Sequence, residues 1–302
     1  MIFCVFQWSR CEWRELRGKG NRMRHLVSGI LFVVSVLAPL YAQPGVRALP
    51  DDNLGYPVLI SIGNSQGSGF YINTDDATYL VTATHVLYTV PTVANVPRQL
   101  YNPVFQLLSY SRDPTDLTPN IAVVDTNVLA AANIMRHAQV DVTVVRLFTR
   151  RAPDMIVPVA GVAVVQTSRG GILGSTRDTI ARLNEVLVGN DVYLFGYPSS
   201  LALGQVAQIN PRRPLLRKGI VAGINNDTNS IILDCPAYPG NSGGPVIEAD
   251  QVDVLRRHFR IIGVVDQYVP YADGGRTFTI NANSGYSVII PMDFVLGLIN
   301  VP

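Results

Sequence analysis

The sequence predicts an all-β protein. Short runs rich in Val, Ile, Tyr and Thr recur along the chain, and Gly, Pro, Asn and Asp residues separate them. Many short strands with turn residues between them are typical of a β-barrel or sandwich rather than of an α/β fold. With 302 residues, 48% of them hydrophobic, the chain is long enough to bury a sizeable core.

Each predicted strand is a run in which β-branched and aromatic residues concentrate between turn residues. In chain order the strands are Pro57–Ile62, Gly69–Ile72, Tyr79–Ala83, Ile121–Val128, Val140–Leu147, Ile156–Val165, Asp191–Phe195, Leu216–Ile224, Ile231–Cys235, Arg260–Val265, Thr277–Ile280 and Tyr286–Ile290. The last run, Met292–Asn300, follows Pro291 and has helical apolar spacing, which predicts a short C-terminal helix over about 292–300.

Residues 1–42 are predicted to be an upstream segment and a signal peptide, followed by a linker over 43–54. A positive stretch at Met23–His25 precedes an apolar h-region at 26–40, and small Ala42 follows as a cleavage site. The h-region is short for a membrane span. We therefore expect export to the periplasm or exterior of a bacterium without a stable span after cleavage; an uncleaved anchor is the alternative.

Charge and cysteine content limit the partners and the compartment. The first 42 residues hold six Lys or Arg against two Glu, so the net charge of +2 hides a slightly acidic remainder, which predicts no nucleic-acid partner. Cys4 and Cys11 fall in the removed region and leave Cys235 without a disulfide partner.

Residues 1–22 also hold both tryptophans, and we hypothesise that synthesis begins at Met23.

The heptapeptide Gly240–Val246 presents Ser242 between glycines, which makes it a candidate nucleophile. A serine hydroxyl needs a nearby base, and the base needs an orienting group. His85 lies at the end of the apolar run 81–87, and Asp141 lies at the start of another, 140–147. These two residues are the candidate base and orienting group.

The order His85, Asp141, Ser242, with spacings of 56 and 101 residues, resembles the chymotrypsin-like (trypsin-fold) serine peptidases over about residues 55–300. Pro239–Pro245 and the preceding Leu233-Asp234 are similar to the bacterial HtrA and glutamyl-endopeptidase branch. The resemblance implies a peptidase domain at 55–302 without a PDZ domain. It also implies two antiparallel six-stranded β-barrels, at about 55–150 and 157–291, joined by a crossover near 149–157.

The resemblance further implies an exported serine endopeptidase that cleaves protein or peptide substrates through an acyl-enzyme and needs no cofactor. Ser242 would attack, His85 would transfer the proton, and Asp141 would orient the imidazole. The backbone N–H groups of Gly240 and Ser242 would form the oxyanion hole.

Two departures from the digestive enzymes bear on activation and specificity. Asn241 replaces the aspartate that pairs with a freed N-terminus, so we expect activity without such trimming. No carboxylate lies at the predicted pocket base, which disfavours Arg or Lys at P1 and favours small or medium apolar residues. Asp266 replaces a serine or other small residue. The predicted pocket comprises Pro236, Ala237, Tyr238, Val265, Asp266, Gln267 and Tyr268.

Two alternatives belong to other functional classes. A catalytically silent binding module could keep the barrels, although it has no physical need for all three triad residues. An acyl hydrolase would use the same chemistry, usually with Gly-x-Ser-x-Gly on an α/β fold, which the strand pattern disfavours. The four histidines show neither paired spacing nor a His-Glu-x-x-His run, so no metal site is predicted. The oligomeric state remains open.

Overall fold

The residues that the structure describes form two antiparallel β-sheets and two short α-helices, which confirms the all-β prediction. The structure is a computed structural model, and it describes residues 49, 55–90, 97–113, 115–152, 155–199, 206–251, 257–274 and 279–300. The predicted signal peptide, the linker before residue 55 (except Leu49) and the start of the predicted strand at Thr277 lie outside the described residues.

The first sheet contains nine strands from the N-terminal half of the described chain. They are β1 (Pro57–Ile62), β2 (Ser65–Asn73), β3 (Ala77–Ala83), β4 (Val104–Ser109), β5 (Asn120–Asp125), β6 (Ile134–Arg136), β7 (Val142–Ala152), β8 (Met155–Pro158) and β9 (Val162–Gln166). Their order is β6-β7-β3-β2-β1-β4-β5-β9, and β8 pairs with β7.

The second sheet is a closed barrel of six strands. They are β10 (Asp191–Gly196), β11 (Leu215–Asn225), β12 (Ser230–Asp234), β13 (Pro245–Gln251), β14 (Arg257–Gly274) and β15 (Thr279–Pro291). The barrel closes in the order β10-β11-β12-β15-β14-β13. This agrees with the six-stranded barrel expected for the C-terminal half.

The first sheet differs from the expectation in strand number and extent. It has nine strands along an open path, where the resemblance implies six in a barrel. Where a crossover was expected, near 149–157, the described residues instead show β7 paired with β8, with Phe148 opposite Pro158. Because β9 pairs with β5, the first sheet continues to Gln166, past residue 157. The chain passes to the second barrel only after that strand.

Strand β3 is buried along its whole length because both of its faces are covered. Leu80 points into the core of the first sheet, whereas Tyr79 and Val81 belong to a cluster shared between the two sheets. The same cluster contains Phe195 from the second barrel. A third cluster fills the barrel itself. The two sheets therefore pack directly against each other, and β3 lies at their junction.

The predicted C-terminal helix is present as α2 (Met292–Leu298), and a single helical turn, α1 (Thr84–Leu87), follows β3. Met292, Val295 and Leu296 are buried in the cluster between the sheets. Helix α2 therefore covers part of the junction. Among the residues that the structure describes, no helix is both long and apolar enough to span a membrane.

Candidate active site

Pairing of β3 with β7 brings His85 and Asp141 together. The two strands are antiparallel, and Ala83 at the end of β3 lies opposite Val142 at the start of β7. The next residue, Thr84, donates its backbone N–H to the Asp141 carbonyl over 3.0 Å. His85 and Asp141 therefore lie side by side although 56 residues separate them.

The side chains of His85 and Asp141 are hydrogen-bonded, with His85 Nδ1 against Asp141 Oδ2. The other carboxylate oxygen, Oδ1, accepts from Arg98 Nη1 at 2.7 Å. Burial opposes the charge on Asp141, but the bonds and charges of His85 and Arg98 outweigh it and hold the pKa of this carboxyl below its usual value. Arg98 belongs to no sequence motif, so its contact with Asp141 was not predicted.

The turn that leads into Asp141 is held by His137. Its Nδ1 accepts hydrogen bonds from the backbone N–H groups of Gln139 and Val140, at 3.2 and 3.0 Å. The ring also packs edge-on against Phe294 of α2, with 5.1 Å between ring centroids. His137 thus links the turn before β7 to the C-terminal helix.

Ser242 lies in the loop that precedes β13, between glycines that adopt positive φ angles. The φ angles are +91° at Gly240 and +84° at Gly243, a region that L side chains rarely adopt. Space forbids a side chain as well, because a Cβ at Gly240 would lie 2.3 Å from the Tyr197 carbonyl, and one at Gly243 would lie 2.2 Å from the Ser68 carbonyl. Glycine is therefore required on both sides of Ser242.

The backbone carbonyls of this loop fix the direction of its amides. The Pro239 carbonyl accepts from Ser199, and the Asn241 carbonyl accepts from Gly244, each over 2.9 Å. In a trans peptide the N–H points in the direction opposite to the carbonyl. The Gly240 N–H therefore points away from the Pro239 carbonyl, and the Ser242 N–H points away from the Asn241 carbonyl. Among the described residues, neither amide donates a hydrogen bond.

The Ser242 hydroxyl donates to the backbone carbonyl of Asp266 over 3.2 Å. No hydrogen bond between Ser242 and His85 is present among the described residues, although both side chains line the same cleft. The structure thus brings the three predicted triad residues to one site. His85 and Asp141 are hydrogen-bonded to each other, whereas the Ser242 hydroxyl is bonded to the Asp266 carbonyl.

Ser68 of the first sheet holds the Ser242 loop from across the junction. Its hydroxyl donates to the Gly240 carbonyl at 2.6 Å and accepts from the Tyr197 N–H at 2.9 Å. Its own N–H donates to the Ser242 carbonyl at 2.9 Å. Ser68 is fully buried. Its role was not predicted, although the Gly67–Gly69 run within β2 is a signal in the sequence, because small residues allow a close approach of two backbones.

An open cleft of about 530 Å³ contains these groups. Five of the seven predicted pocket residues line it, namely Ala237, Tyr238, Asp266, Gln267 and Tyr268. Val265 does not, because it is fully buried in the barrel core, and Pro236 is not part of the lining either. Val90, Arg98 and Pro239 line the cleft and were not predicted.

Polar contacts fix the wall formed by residues 235–238. Asn283 Nδ2 donates to the Ala237 carbonyl at 2.5 Å. The buried Ser287 hydroxyl accepts from the Ala237 N–H and donates to the Cys235 carbonyl. The Arg217 guanidinium lies over the Tyr238 ring, 4.3 Å from its centroid. Strands β11 and β15 therefore set the position of this wall.

His85, Asp141 and Asp266 offer one ligand atom each within 4.8 Å of one another. This is a donor set that could hold a divalent cation. However, both Asp141 oxygens are already engaged, and Arg98 brings a positive charge within 2.7 Å of one of them. The arrangement therefore suits polarisation of an imidazole better than cation binding.

Several solved structures resemble this one. The serine endoprotease from Yersinia pestis covers 82% of this chain with a TM-score of 0.43 and 15% identity, and the match spans 62% of that protein. The HtrA-type protease AlgW with tripeptide gives a TM-score of 0.43, 16% identity and coverage of 82% and 60%. Deg5 gives 0.42, 18% identity and coverage of 82% and 88%.

A curated relative, the uncharacterized protein y4bJ of Sinorhizobium fredii, is 34% identical over 119 residues, which is 38% of this chain. The match spans 17% of that relative's length. A family model described as the trypsin-like peptidase domain matches residues 67–254, more than half of the chain, and this range contains His85, Asp141 and Ser242. The chain therefore belongs to the trypsin-like peptidase domain family.

Proposed function

We propose that this chain is a serine endopeptidase that hydrolyses peptide bonds through Ser242, His85 and Asp141. The observation that carries the proposal is the hydrogen bond between His85 and Asp141 in the cleft that Ser242 also lines. An imidazole oriented by a carboxylate is the base that a serine hydroxyl needs in order to attack a carbonyl.

In the first step, Ser242 exchanges its bond to the Asp266 carbonyl for one to His85, and Oγ attacks the scissile carbonyl carbon. His85 takes the hydroxyl proton and then delivers it to the leaving amine as the C–N bond breaks. Asp141 stabilises the imidazolium formed in between. Catalytic hydrogen bonds are often poorly formed without substrate, so the absence of a Ser242–His85 bond among the described residues does not argue against this step.

The negative oxygen of the tetrahedral intermediate is received by the N–H groups of Gly240 and Ser242. Their directions, set by the Pro239 and Asn241 carbonyl bonds, support this role. Each such donor lowers the barrier by about 3 kcal/mol. Water then attacks the acyl-enzyme, with His85 as the base, and releases the second product and the free serine.

The test is fluorophosphonate labelling of the purified protein, with the labelled peptide identified by mass. We expect label on Ser242 that is lost in both Ser242→Ala and His85→Ala, since the reagent needs an activated serine. Ser199→Ala is the matched control, because its hydroxyl lies outside the triad and only its backbone N–H supports the loop. A folded protein that takes no label on Ser242 would refute the proposal.

The second candidate is a catalytically silent binding module of the same fold. The observation that favours it is the bond of the Ser242 hydroxyl to Asp266 instead of to His85. In that case the folded protein takes no label, and it binds peptides equally well in the wild type and in Ser242→Ala.

We further propose that the substrates are proteins or peptides with small or medium apolar P1 residues, and that the enzyme belongs with the HtrA-type branch. The Pro239–Pro245 motif supports the branch.

We also propose export, supported by the h-region at 26–40. Fractionation of a bacterial host that expresses the full chain tests export, and cytosolic retention of the full-length product would contradict it.

A further inference from the structure

A β-bulge places Asp266 in the cleft. Between β14 and β15, Val265 pairs with Ile289 and Gln267 pairs with Val288, so Asp266 is an extra residue without a partner of its own. Bulges of this kind redirect a side chain and are frequent beside active sites. Here the bulge turns the Asp266 backbone carbonyl toward Ser242 and brings its carboxyl into the cleft lining.

The Asp266 carboxyl faces the His85–Asp141 pair. The ligand atoms of the three side chains lie within 4.8 Å of one another, and Asp266 feels the charges of both Asp141 and His85. The side chain is partly buried, so water screens these charges less than it would at the surface.

Arg98 changes the charge balance on the other side of the pair. Its guanidinium lies 2.7 Å from Asp141 Oδ1 and offsets part of the negative charge that His85 would otherwise feel. Asp141 alone is therefore a weaker partner for an imidazolium than an unpaired carboxylate would be. The line of groups runs from Arg98 through Asp141 and His85 to Asp266, with alternating charge when His85 is protonated.

We propose that Asp266 is a positioning residue that acts through His85: its carboxylate is a second negative charge beside the imidazole and compensates for the charge that Arg98 offsets on Asp141. The inference deepens the proposed function, because it concerns the same histidine. It predicts that the charges of Asp266 and Arg98 have opposite effects on the protonation of His85.

The titration of Asp266 agrees with this role. Burial, and then repulsion by Asp141, raise the pKa of Asp266 to about 6, while the positive charge of His85 acts to lower it. Asp266 therefore gains its charge between about pH 5 and 7, and the charge is present at neutral pH. The remaining titratable groups of the cleft lining are Tyr238 and Tyr268, which both belong to the cleft wall on the side of the second barrel.

The experiment compares Asp266→Asn, Arg98→Gln and the double variant, with Asp227→Asn in an exposed turn as the matched control. We expect the acid limb of kcat/KM against pH to move down by about 0.5–1 pH unit in Asp266→Asn, up by a similar amount in Arg98→Gln, and back near wild type in the double variant. At pH 7.5, kcat should fall about threefold to tenfold in Asp266→Asn, because 0.5–1 pH unit corresponds to that factor in the stability of the imidazolium.

A second readout needs no hydrolysis and separates this inference from the proposed function. The His85 ring is followed by NMR in the full chain with labelled histidine, and its signal is assigned by its loss in His85→Ala. Opposite shifts of its titration midpoint in the two variants support the inference even if the protein cleaves nothing. A midpoint that coincides with wild type in Asp266→Asn overturns it, even if the enzyme is active.

Arg98→Gln provides an independent test if Asp266→Asn fails to fold. The Arg98 side chain is 36% exposed, so its replacement leaves no buried cavity. An Arg98→Gln variant whose His85 midpoint equals that of wild type would also overturn the inference.

Discussion

At the scale of single residues, the Ser242 loop depends on side chains that take no part in bond breaking. Ser68 fixes the peptide that carries Gly240, since it donates to that residue's carbonyl and accepts from Tyr197. A donor to an oxyanion must be in place before the charge develops. Under the proposed function, we therefore expect the Ser68 hydroxyl to affect the rate of reaction more than substrate binding.

The first prediction concerns Ser68→Ala. Loss of the hydroxyl leaves the Gly240 carbonyl and the Tyr197 N–H without their partner, at about 1–3 kcal/mol. We expect kcat to fall about tenfold to a hundredfold while KM stays within about twofold, measured by steady-state kinetics on a peptide substrate. The matched control is Ser111→Ala, a buried serine whose hydroxyl has no partner among the described residues. A kcat equal to that of the control would contradict the role.

A second prediction separates backbone strain from steric conflict at Gly240. Gly189 has a φ of +94°, close to the +91° of Gly240, but a Cβ there would meet no atom within 4 Å. Gly189→Ala should therefore cost only the strain of a positive φ, about 1–2 kcal/mol. Gly240→Ala must in addition displace the Tyr197 carbonyl, so it should abolish activity and cost more stability.

The readouts are urea denaturation for stability and peptide hydrolysis for activity. If Gly240→Ala hydrolyses the peptide as fast as Gly189→Ala does, the close approach of residue 240 to the Tyr197 carbonyl is not needed for activity.

At the scale of elements, strands β3 and β7 could be predicted from sequence, whereas the setting of Asp266 could not. β3 and β7 are apolar runs, and His85 and Asp141 lie directly at their ends. The strand pattern does not say which strands pair, so the expectation that these two residues meet came from the family resemblance, and the pairing of β3 with β7 explains how they do. A bulge adds one residue that leaves the composition of a strand unchanged, and no pattern in Val264–Tyr268 reveals it.

Other elements escaped prediction for similar physical reasons. β13 begins at Pro245, directly after the glycines around Ser242, and these turn residues mask the strand that follows. The arginines at 150–151 suggested a break between barrels, but they belong to the end of β7 in an exposed hairpin. Arg98 reaches Asp141 from outside any strand, so its role depends on tertiary contacts alone.

Helix α2 gives a prediction at this scale. Gly297 is exposed within the helix, and a Cβ there would meet no atom within 4 Å. Gly297→Ala should raise the free energy of unfolding by about 0.5–1 kcal/mol, because alanine loses less backbone entropy in a helix. Leu296→Ala, on the buried face, should lower it by about 2–4 kcal/mol. Thermal denaturation of both variants checks this, and a destabilised Gly297→Ala would show that the helix needs its glycine.

At the scale of the whole molecule, the ionised Asp266 carboxylate should lower the free energy of unfolding at neutral pH. The pKa of Asp266 is raised to about 6 from an ordinary 3.8, so the native state binds more protons than the unfolded state between these values. Its contribution to stability is full below about pH 4 and is lost as the pH rises through about 6. Burial also raises the pKa of Glu248, which acts in the same direction.

We therefore expect Asp266→Asn to be more stable than wild type at pH 7.5, by about 1–2 kcal/mol after allowance for solvent screening, and close to wild type at pH 4. Urea denaturation at the two pH values measures the difference. A variant that is less stable than wild type at pH 7.5 would show that the carboxylate is stabilised in the native state.

The division of the site between two sheets has a consequence for the newly made chain. The first sheet supplies His85 and Asp141, and the loop before β13 supplies Ser242, whose carbonyl is held by Ser68 from the opposite side. Neither half contains a complete set of reacting groups. Under the proposed function, a chain that has folded only its first sheet lacks the nucleophile, so we expect peptidase activity to begin only after the second barrel has formed.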